Sequence, residues 1–232
     1  MSVELLERAA QALEPLLGDV VFLGGASIVL WITDPAAPAP RPTKDVDVVV
    51  EVTSRAAFHA FEERLRSLGF KEDQESGIIC RWRYRDSDLI LDAMPADAAI
   101  LGFENRWQGA SIPHAVERVL PSGAMILATR PDYLLATKIE AFNGRGHEDF
   151  LGSRDFGDMI SLLDGRKELV VEAQQSEPDL RAYLVSELSR LREHPRFREG
   201  ISGALRADFA SQARAEAVVL LRLEQIVLFT TP

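Results

Sequence analysis

Two aspartates interrupt an apolar, β-branched segment early in the chain. Residues 43–50 read Thr-Lys-Asp-Val-Asp-Val-Val-Val, and the valines favour a buried strand. Because side chains alternate along a strand, Asp45 and Asp47 face the same side, about 6 to 7 Å apart along the strand. Two carboxylates so placed repel each other, and burial strengthens the repulsion. The pattern predicts a cation between them, and a divalent metal bound through oxygen is the first candidate.

A glycine pair, Gly24-Gly25, lies upstream of these aspartates. It separates a predicted strand, Val20-Val21-Phe22-Leu23, from a predicted helix over residues 26–32. Glycines at such a junction let backbone N–H groups approach an anion, which a helix N-terminus also favours. Taken singly, the glycine pair fits a tight turn, and the aspartate pair fits a solvated strand edge or a turn cap. Together they predict a phosphate-binding turn followed by an acidic strand.

These two segments resemble the first motif of the DNA polymerase β-like nucleotidyltransferase superfamily. Leu23-Gly24-Gly25-Ala26-Ser27 corresponds to the glycine turn, and Thr43-Lys44-Asp45-Val46-Asp47 to the acidic strand. The spacer between them is longer than the motif requires. Residues 34–42 are rich in proline and alanine, which disfavours a helix or a central strand, so we expect a surface loop beside the site. The resemblance implies an α+β fold, a mixed sheet flanked by helices with a helical C-terminal part.

A third carboxylate is expected on a hairpin. Residues 78–84 and 88–94 have strand composition and are joined by the short link Arg85-Asp86-Ser87. Asp92 lies within an apolar run near the end of the second strand, where it could also begin a turn before Pro95. The polymerase β-like pattern places a carboxylate beside Asp-x-Asp, and Asp92 matches it. Asp88 is the competitor, but it adjoins the turn, where carboxylates are commonly solvated.

Two later helices carry further charged candidates. A helix that begins within residues 129–132 and runs through Phe142 places Lys138 close to its apolar face, where an unpaired lysine is costly. The alternative is a lysine that extends to solvent at the helix edge. Ser153 is expected to cap the next helix, on which Asp155 and Asp158 share a face. Acidic residues in a first turn are also favoured by the helix dipole alone.

The later segments resemble the AbiEii-like nucleotidyltransferases, which include the toxins of type IV toxin–antitoxin systems. Residues 134–141 match the Leu-x-x-x-Lys-x-x-Ala motif, and residues 154–158 match Arg-Asp-x-x-Asp. The resemblance implies a site in which Mg²⁺ or Mn²⁺ binds Asp45, Asp47 and Asp92. It implies that Asp155 or Asp158 acts as the base. The residues expected to contact the nucleotide are Gly24, Gly25, Ser27, Thr43, Lys138, Arg145 and Arg154. Expected partners are a nucleoside triphosphate, an RNA or tRNA acceptor and a cognate antitoxin.

Composition sets the remaining expectations. The chain has 232 residues and a net charge of −10, and the acid excess lies within residues 1–175, so RNA binding would need a local basic patch. Arg190, Arg192, Arg196 and Arg198 form such a cluster, although it also fits a solvated helix surface. The single cysteine, Cys80, excludes an intrachain disulfide and a cysteine-based zinc site. With no long apolar run and a charged N-terminal segment, we expect a cytoplasmic protein that is not membrane-bound.

We expect a nucleotidyltransferase core over residues 1–128 and a helical part over residues 129–232 that completes the active site. Two other functions remain open. A metal-dependent nuclease could use the same aspartates, but it would not need the glycine turn or Lys138. A noncatalytic module that binds nucleotides or partners could keep the fold without the activity.

Overall fold

The computed structural model describes residues 2–52, 54–102, 105–146 and 148–229. The chain divides into two compact units. The first comprises Met1–Leu30 and Pro42–Arg130, and the second comprises Trp31–Arg41 and Pro131–Pro232. Most of the proline-rich spacer therefore belongs to the second unit, although the sequence around it belongs to the first.

The first unit contains the strands. In the described part of the chain they are β1 Val20–Leu23, β2 Asp45–Val50, β3 Phe70–Glu72, β4 Arg81–Tyr84, β5 Ile90–Pro95, β6 Val116–Val119 and β7 Met125–Ala128. Its α-helices are α1 Ser2–Ala12, α2 Gly24–Ser27, α3 Arg55–Leu68, α4 Ala98–Leu101 and α5 Arg106–Ser111. Short 3-10 turns follow α1 at Glu14–Leu16, α2 at Ile28–Trp31 and α5 at Ile112–His114.

The strands form one mixed sheet in the order β3-β4-β5-β2-β1-β7-β6. The pairs β2–β5 and β1–β7 are parallel, and the other neighbouring pairs are antiparallel. The valines of β1 and β2 are buried because both strands lie inside the sheet. Val20, Val46, Val48 and Val50 share a core cluster with apolar side chains of α1 and α3. The acidic strand is therefore central in the sheet.

The second unit is helical. Its helices are α6 Pro131–Asn143, α7 Arg154–Gly165, α8 Leu169–Gln174, α9 Pro178–Glu193, α10 Phe197–Ala204, α11 Phe209–Arg214 and α12 Leu221–Val227, with a π-helical turn at Ala215–Leu220 between the last two. Helix α6 is buried along nearly its whole length. A cluster of phenylalanines joins α6, α7 and α10; its members are Phe142, Phe150, Phe156 and Phe197.

Residues 31–41 form a strap that is tied to the helices of the second unit. The backbone N–H groups of Thr33 and Asp34 both donate to the carbonyl of Gly165 at 2.9 Å. The Asp34 carboxylate accepts a hydrogen bond from Arg214 at 2.9 Å. The strap has no helix or strand beyond Trp31, as the proline-rich composition predicts. It nevertheless has fixed partners in its own unit.

The α+β class, the mixed sheet flanked by helices and the helical C-terminal part are confirmed. Several predicted boundaries are wrong. The helix expected over residues 26–32 begins two residues earlier, so the glycine pair forms its first turn, and it tightens to 3-10 geometry at Ile28. The strand expected from residue 78 begins only at Arg81, and its partner spans Ile90–Pro95 rather than residues 88–94. Strand β3 and helices α4, α5 and α8 are absent from the prediction. No helix among the described residues is long and apolar enough to cross a membrane.

Candidate active site

Three aspartates share one face of the central strands in the first unit. Strands β2 and β5 pair in parallel, and Asp47 is the register partner of Asp92. Register partners on neighbouring strands project to the same side, and Asp45 lies on that side because it is two residues from Asp47. Asp92 is only 8% exposed, whereas Asp45 and Asp47 are half-buried. We call Asp45, Asp47 and Asp92 the acidic face.

An arginine supplies the cation that the acidic face requires. Arg81 is the register partner of Asp92 on β4. Its Nε donates to Oδ1 of Asp92 at 2.8 Å, and its Nη2 donates to Oδ2 of Asp92 and to Oδ2 of Asp45, both at 2.7 Å. The hydrogen bonds to Asp92, followed by the charges of Asp92 and Asp45, raise the pKa of Arg81 despite burial. The sequence predicts a cation between the carboxylates but not that the chain itself provides one.

Asp47 lies against the glycine turn. Gly24 has φ +74°, and a Cβ atom placed on it would lie 1.8 Å from Oδ2 of Asp47. Only glycine fits there, because a side chain would be strained by the backbone and would also collide with the carboxylate. Ser27 is fully buried, and its hydroxyl donates to the carbonyl of Gly24 at 2.9 Å. The turn thus holds the Asp47 carboxyl in place through close packing.

Gly25 and Thr43 are the other nucleotide-binding candidates of the first unit, and Asp88 is the competitor of Asp92. Gly25 is buried in the first turn of α2. The hydroxyl of Thr43, just before β2, is buried and has no hydrogen-bond partner among the described residues. Asp88 is 86% exposed at its side chain and pairs with Arg8, so its carboxylate is committed away from Asp92. Cys80 precedes Arg81. Burial and the charges of Asp92 and Asp47 raise the pKa of its thiol to about 12, so it stays protonated at neutral pH.

The donor set of the acidic face suits a hard divalent cation. Carboxylate oxygens are the ligands that Mg²⁺ and Mn²⁺ prefer, and Gly24 holds Asp47 in a fixed position. However, within the described ranges, no three His, Cys, Asp or Glu side chains stand in a metal-binding arrangement. Asp45 and Asp92 instead form ion pairs with Arg81.

The second unit contains a separate charged cluster around Lys138. Lys138 is 6% exposed on α6. Its Nζ lies 3.1 Å from Oδ1 of Asp155 and 2.7 Å from Oδ2 of Asp158, both on α7. The lysine is therefore buried in ion pairs, and it does not extend to solvent at the helix edge. The three residues singled out by the later motifs are in direct contact.

Two arginines complete this cluster. Arg41, in the strap, donates from Nε and Nη2 to the two carboxylate oxygens of Asp158, each at 2.9 Å. Arg145 donates from Nε and Nη2 to the two oxygens of Asp155, each at 3.0 Å, although its side chain is 74% exposed. We call Arg41, Lys138, Arg145, Asp155 and Asp158 the paired cluster. Three cations against two carboxylates give it a net positive charge of one.

The environment of Asp155 bears on its proposed role as a base. Burial by itself would raise the pKa of Asp155, but the hydrogen bond from Arg145 and the charges of Lys138 and Arg145 outweigh burial and lower it. A carboxylate with a lowered pKa accepts a proton reluctantly. Asp158 forms ion pairs with Lys138 and Arg41. Either aspartate would have to loosen an ion pair before it could act as a base.

Arg154 and the arginines near α10 do not belong to the paired cluster. Arg154 is exposed and has no hydrogen-bond or ion-pair partner in the described part of the chain. Arg190 pairs with Glu148 and Glu187, Arg196 with Glu199, and Arg198 with Glu216. The basic cluster seen in the sequence is therefore largely neutralised by its own unit.

Sequence reasoning misses Arg81 and Arg41. The residues of β4 alternate between faces, and this alternation places Arg81 on a definite face, but its partner depends on the hairpin register. Arg41 gives no local signal at all, because its partner, Asp158, is 117 residues away in the chain.

The chain was compared with known proteins. The family model described as nucleotidyl transferase AbiEii toxin, type IV TA system, matches residues 4–218. A search of curated proteins found no match.

Proposed function

The chain belongs to the AbiEii family of nucleotidyltransferase toxins of type IV toxin–antitoxin systems, and from this premise we propose that it transfers a nucleoside monophosphate from a nucleoside triphosphate to an acceptor hydroxyl. In this reaction the hydroxyl oxygen bonds to the α-phosphorus. The bond from that phosphorus to the bridging oxygen breaks, and pyrophosphate leaves. The hydroxyl proton passes to a base. The family membership supports the reaction class, and the residues below are proposed to carry it.

One observation carries the proposal: Asp47 and Asp92 are register partners on adjacent parallel strands, with the Asp47 carboxylate packed against Gly24. Such a placement brings carboxylates to one face at the end of a glycine turn, where a triphosphate would need them. Asp45, Asp47 and Asp92 would hold Mg²⁺ or Mn²⁺. The ion, when bound, would neutralise charge on the phosphates and orient the attacking oxygen.

The glycine turn is proposed to receive the phosphates. Gly24 and Gly25 carry no side chains, so their backbone is open to close approach by an anion. Ser27 supports the turn through its hydrogen bond to the Gly24 carbonyl. The unpartnered hydroxyl of Thr43 is a further donor that a nucleotide could satisfy, since a buried hydroxyl without a partner is costly.

The paired cluster is proposed to act on the triphosphate and the acceptor. Lys138 and Arg145 are cations whose present partners are carboxylates, so a phosphate oxygen could replace a carboxylate oxygen at the same nitrogen. That exchange would release Asp155, whose basicity would then rise because its cations are engaged elsewhere. Asp158 is the alternative base. Arg154, which is exposed, is proposed to contact phosphate from solvent.

RNA, and tRNA in particular, is the proposed acceptor class, and a cognate antitoxin is the partner that the family implies. The acidic net charge of −10 means that RNA would have to meet a restricted surface. The neutralised arginines near α10 do not offer a strong one. A cytoplasmic location accords with these proposed partners.

The reaction is tested by incubating the full chain with each common nucleoside triphosphate in turn, radiolabelled at the α-phosphate, with Mg²⁺ or Mn²⁺ and total RNA. We expect label in RNA with one triphosphate preferred. RNA fragments without incorporated label would indicate the nuclease instead. No change in RNA or triphosphate under any of these conditions would indicate a noncatalytic module.

A further inference from the structure

Arg81 pairs with two of the three carboxylates that are proposed to hold a divalent cation. Its Nη2 is equidistant, at 2.7 Å, from one oxygen of Asp45 and one oxygen of Asp92. The carboxylates of Asp45 and Asp92 are among the oxygen ligands that would hold the cation on the acidic face. The guanidinium and a divalent cation would therefore compete for the same carboxylate oxygens.

The arginine is also well held. It donates to both oxygens of Asp92 in the bidentate geometry that is strongest for arginine and carboxylate. Its side chain is mostly buried, as is that of Asp92. Strand pairing fixes the contact, because Arg81 and Asp92 are direct partners across β4 and β5. The interaction is thus a built feature of the sheet rather than a chance contact of two exposed side chains.

We propose that Arg81 is the resident counter-ion of the acidic face and opposes metal binding there, so that a divalent cation binds Asp45 and Asp92 only when Arg81 has left them. The proposal rests on the proposed function in one respect, that a divalent cation is the ligand of these carboxylates. It adds a residue that the motifs do not contain. Arg81 is a positioning residue, because it acts through Asp45 and Asp92.

Two physical consequences follow. Without a divalent cation, Arg81 offsets the repulsion among the acidic side chains and so stabilises the sheet. When the cation binds, the contacts of Arg81 with Asp45 and Asp92 must break, and the free energy of breaking them makes binding less favourable. The wild type therefore binds the ion more weakly than a variant without the guanidinium would. Removing the guanidinium should therefore lower the stability of the metal-free protein and raise its affinity for the divalent cation. A purely structural role for Arg81 would give only the first effect.

Arg83 provides a matched control. It lies two residues further along β4, so it projects to the same side of the sheet. Its guanidinium pairs with Asp73, with Nε 3.0 Å from Oδ2, and not with the acidic face. Arg83→Gln removes one arginine and its ion pair with Asp73 from the same strand, whereas Arg81→Gln removes one arginine and its ion pairs with Asp45 and Asp92. A difference between the two variants then reports on the contacts to Asp45 and Asp92.

The test is a titration of the full chain with Mn²⁺ alone, followed by the electron paramagnetic resonance signal of the free ion. We expect Arg81→Gln to bind Mn²⁺ about tenfold more tightly than the wild type, and Arg83→Gln to bind it as the wild type does. Adding Asp92→Asn to Arg81→Gln should abolish the gain. Unchanged or weaker binding by Arg81→Gln would overturn the proposal, and so would a gain that survives Asp92→Asn.

Thermal unfolding of the same proteins shows whether each variant is folded and how stable it is. Arg81→Gln should melt below the wild type in a chelator, and the difference should close in Mn²⁺. Should Arg81→Gln fail to fold, Arg81→Lys keeps one charge but loses the bidentate contact, and its Mn²⁺ affinity should still exceed that of the wild type; equal affinity would contradict the proposal. Label transfer is measured separately. Transfer without any Mn²⁺ gain in the variants would refute the role of Arg81 alone, whereas a Mn²⁺ gain without transfer by the wild type would refute the proposed reaction alone.

Discussion

Gly24 and Asp47 are in such close contact that no other residue fits at position 24. A Cβ atom there would lie 1.8 Å from Oδ2 of Asp47, and the backbone has φ +74°. The contact links the glycine turn to the acidic strand, which are the two halves of the first motif. Although they are far apart in the sequence, these two halves are in direct contact in the fold.

Gly24→Ala is expected to displace the Asp47 carboxylate and lower label transfer by about a hundredfold, since small misplacements of a reacting group carry costs of that order. The variant also incurs about 1 to 2 kcal/mol of backbone strain in the left-handed region. Transfer rates and urea unfolding are measured on the same preparations.

The control for this variant is Gly123→Ala. Gly123 lies in the turn before β7 with φ +89°, and no atom lies within 4 Å of a Cβ placed there. It should show similar backbone strain but keep its activity. If both variants lose transfer equally, the effect comes from stability and the contact with Asp47 has no special role.

Lys138→Met should lower the free energy of unfolding by about 2 to 3 kcal/mol, because it leaves two buried carboxylates short of a partner. Arg41 and Arg145 still pair with Asp158 and Asp155, which limits the loss. Lys71→Met, at an exposed position on β3, is the control. Equal unfolding energies for the two variants would show that the ion pairs of Lys138 contribute nothing.

Asp155 should make stability depend on pH in acid. Its folded-state pKa lies below the ordinary value of 3.8, despite burial, because of Arg145 and Lys138. A lowered carboxyl pKa contributes stability that is complete above the unfolded-state value and is lost as pH falls through the folded-state value. The stability advantage of the wild type over Asp155→Asn should therefore be constant near neutral pH and shrink below about pH 4.

Urea unfolding from neutral pH into acid measures this advantage, with the exposed Asp86→Asn as the control. A gap between wild type and Asp155→Asn that stays constant into strong acid would mean that the charge of Asp155 has no part in its contribution.

Asp92 and Asp88 separate the acidic face from its neighbour on the same hairpin. Asp92→Asn should reduce label transfer by about a hundredfold or more, since it removes a carboxylate from the proposed cation ligands. Asp88→Asn should leave transfer nearly intact, because Asp88 is exposed and pairs with Arg8. If Asp88→Asn loses transfer and Asp92→Asn keeps it, the third carboxylate is Asp88 rather than Asp92.

Local patterns predict much of this fold. Valine composition locates β1 and β2, and side-chain alternation places Asp45 and Asp47 on one face. Ser153 caps α7 as expected, its side chain accepting a hydrogen bond from the N–H of Phe156. These features depend on residues close together in the chain, and so one sequence suffices to predict them.

The features that local patterns do not predict depend on strand register and on long-range contacts. A three-residue link at residues 85–87 would make Cys80 the partner of Asp92. The turn is one residue longer: Tyr84 donates its N–H to the carbonyl of Leu89, and Arg81 becomes the partner. One residue of turn length therefore decides which side chain meets the acidic face, and composition does not specify it.

The contacts of the strap also cannot be predicted from local sequence. Proline and alanine predict the absence of helix and strand, and this is confirmed, but they do not predict a partner. Arg41 meets Asp158 because the fold of the second unit brings them together. The roles assigned to the acidic face and the paired cluster remain predictions from the family resemblance.

The central claim, transfer of a nucleoside monophosphate by the acidic face, is tested most directly by comparing one triphosphate labelled at the α-phosphate with the same triphosphate labelled at the γ-phosphate, using wild type and Asp47→Asn. We predict that wild type places only the α label in the acceptor and releases the γ label as pyrophosphate, and that Asp47→Asn, folded as judged by thermal unfolding, does neither. Transfer of the γ label, or full α-label transfer by Asp47→Asn, would contradict the account.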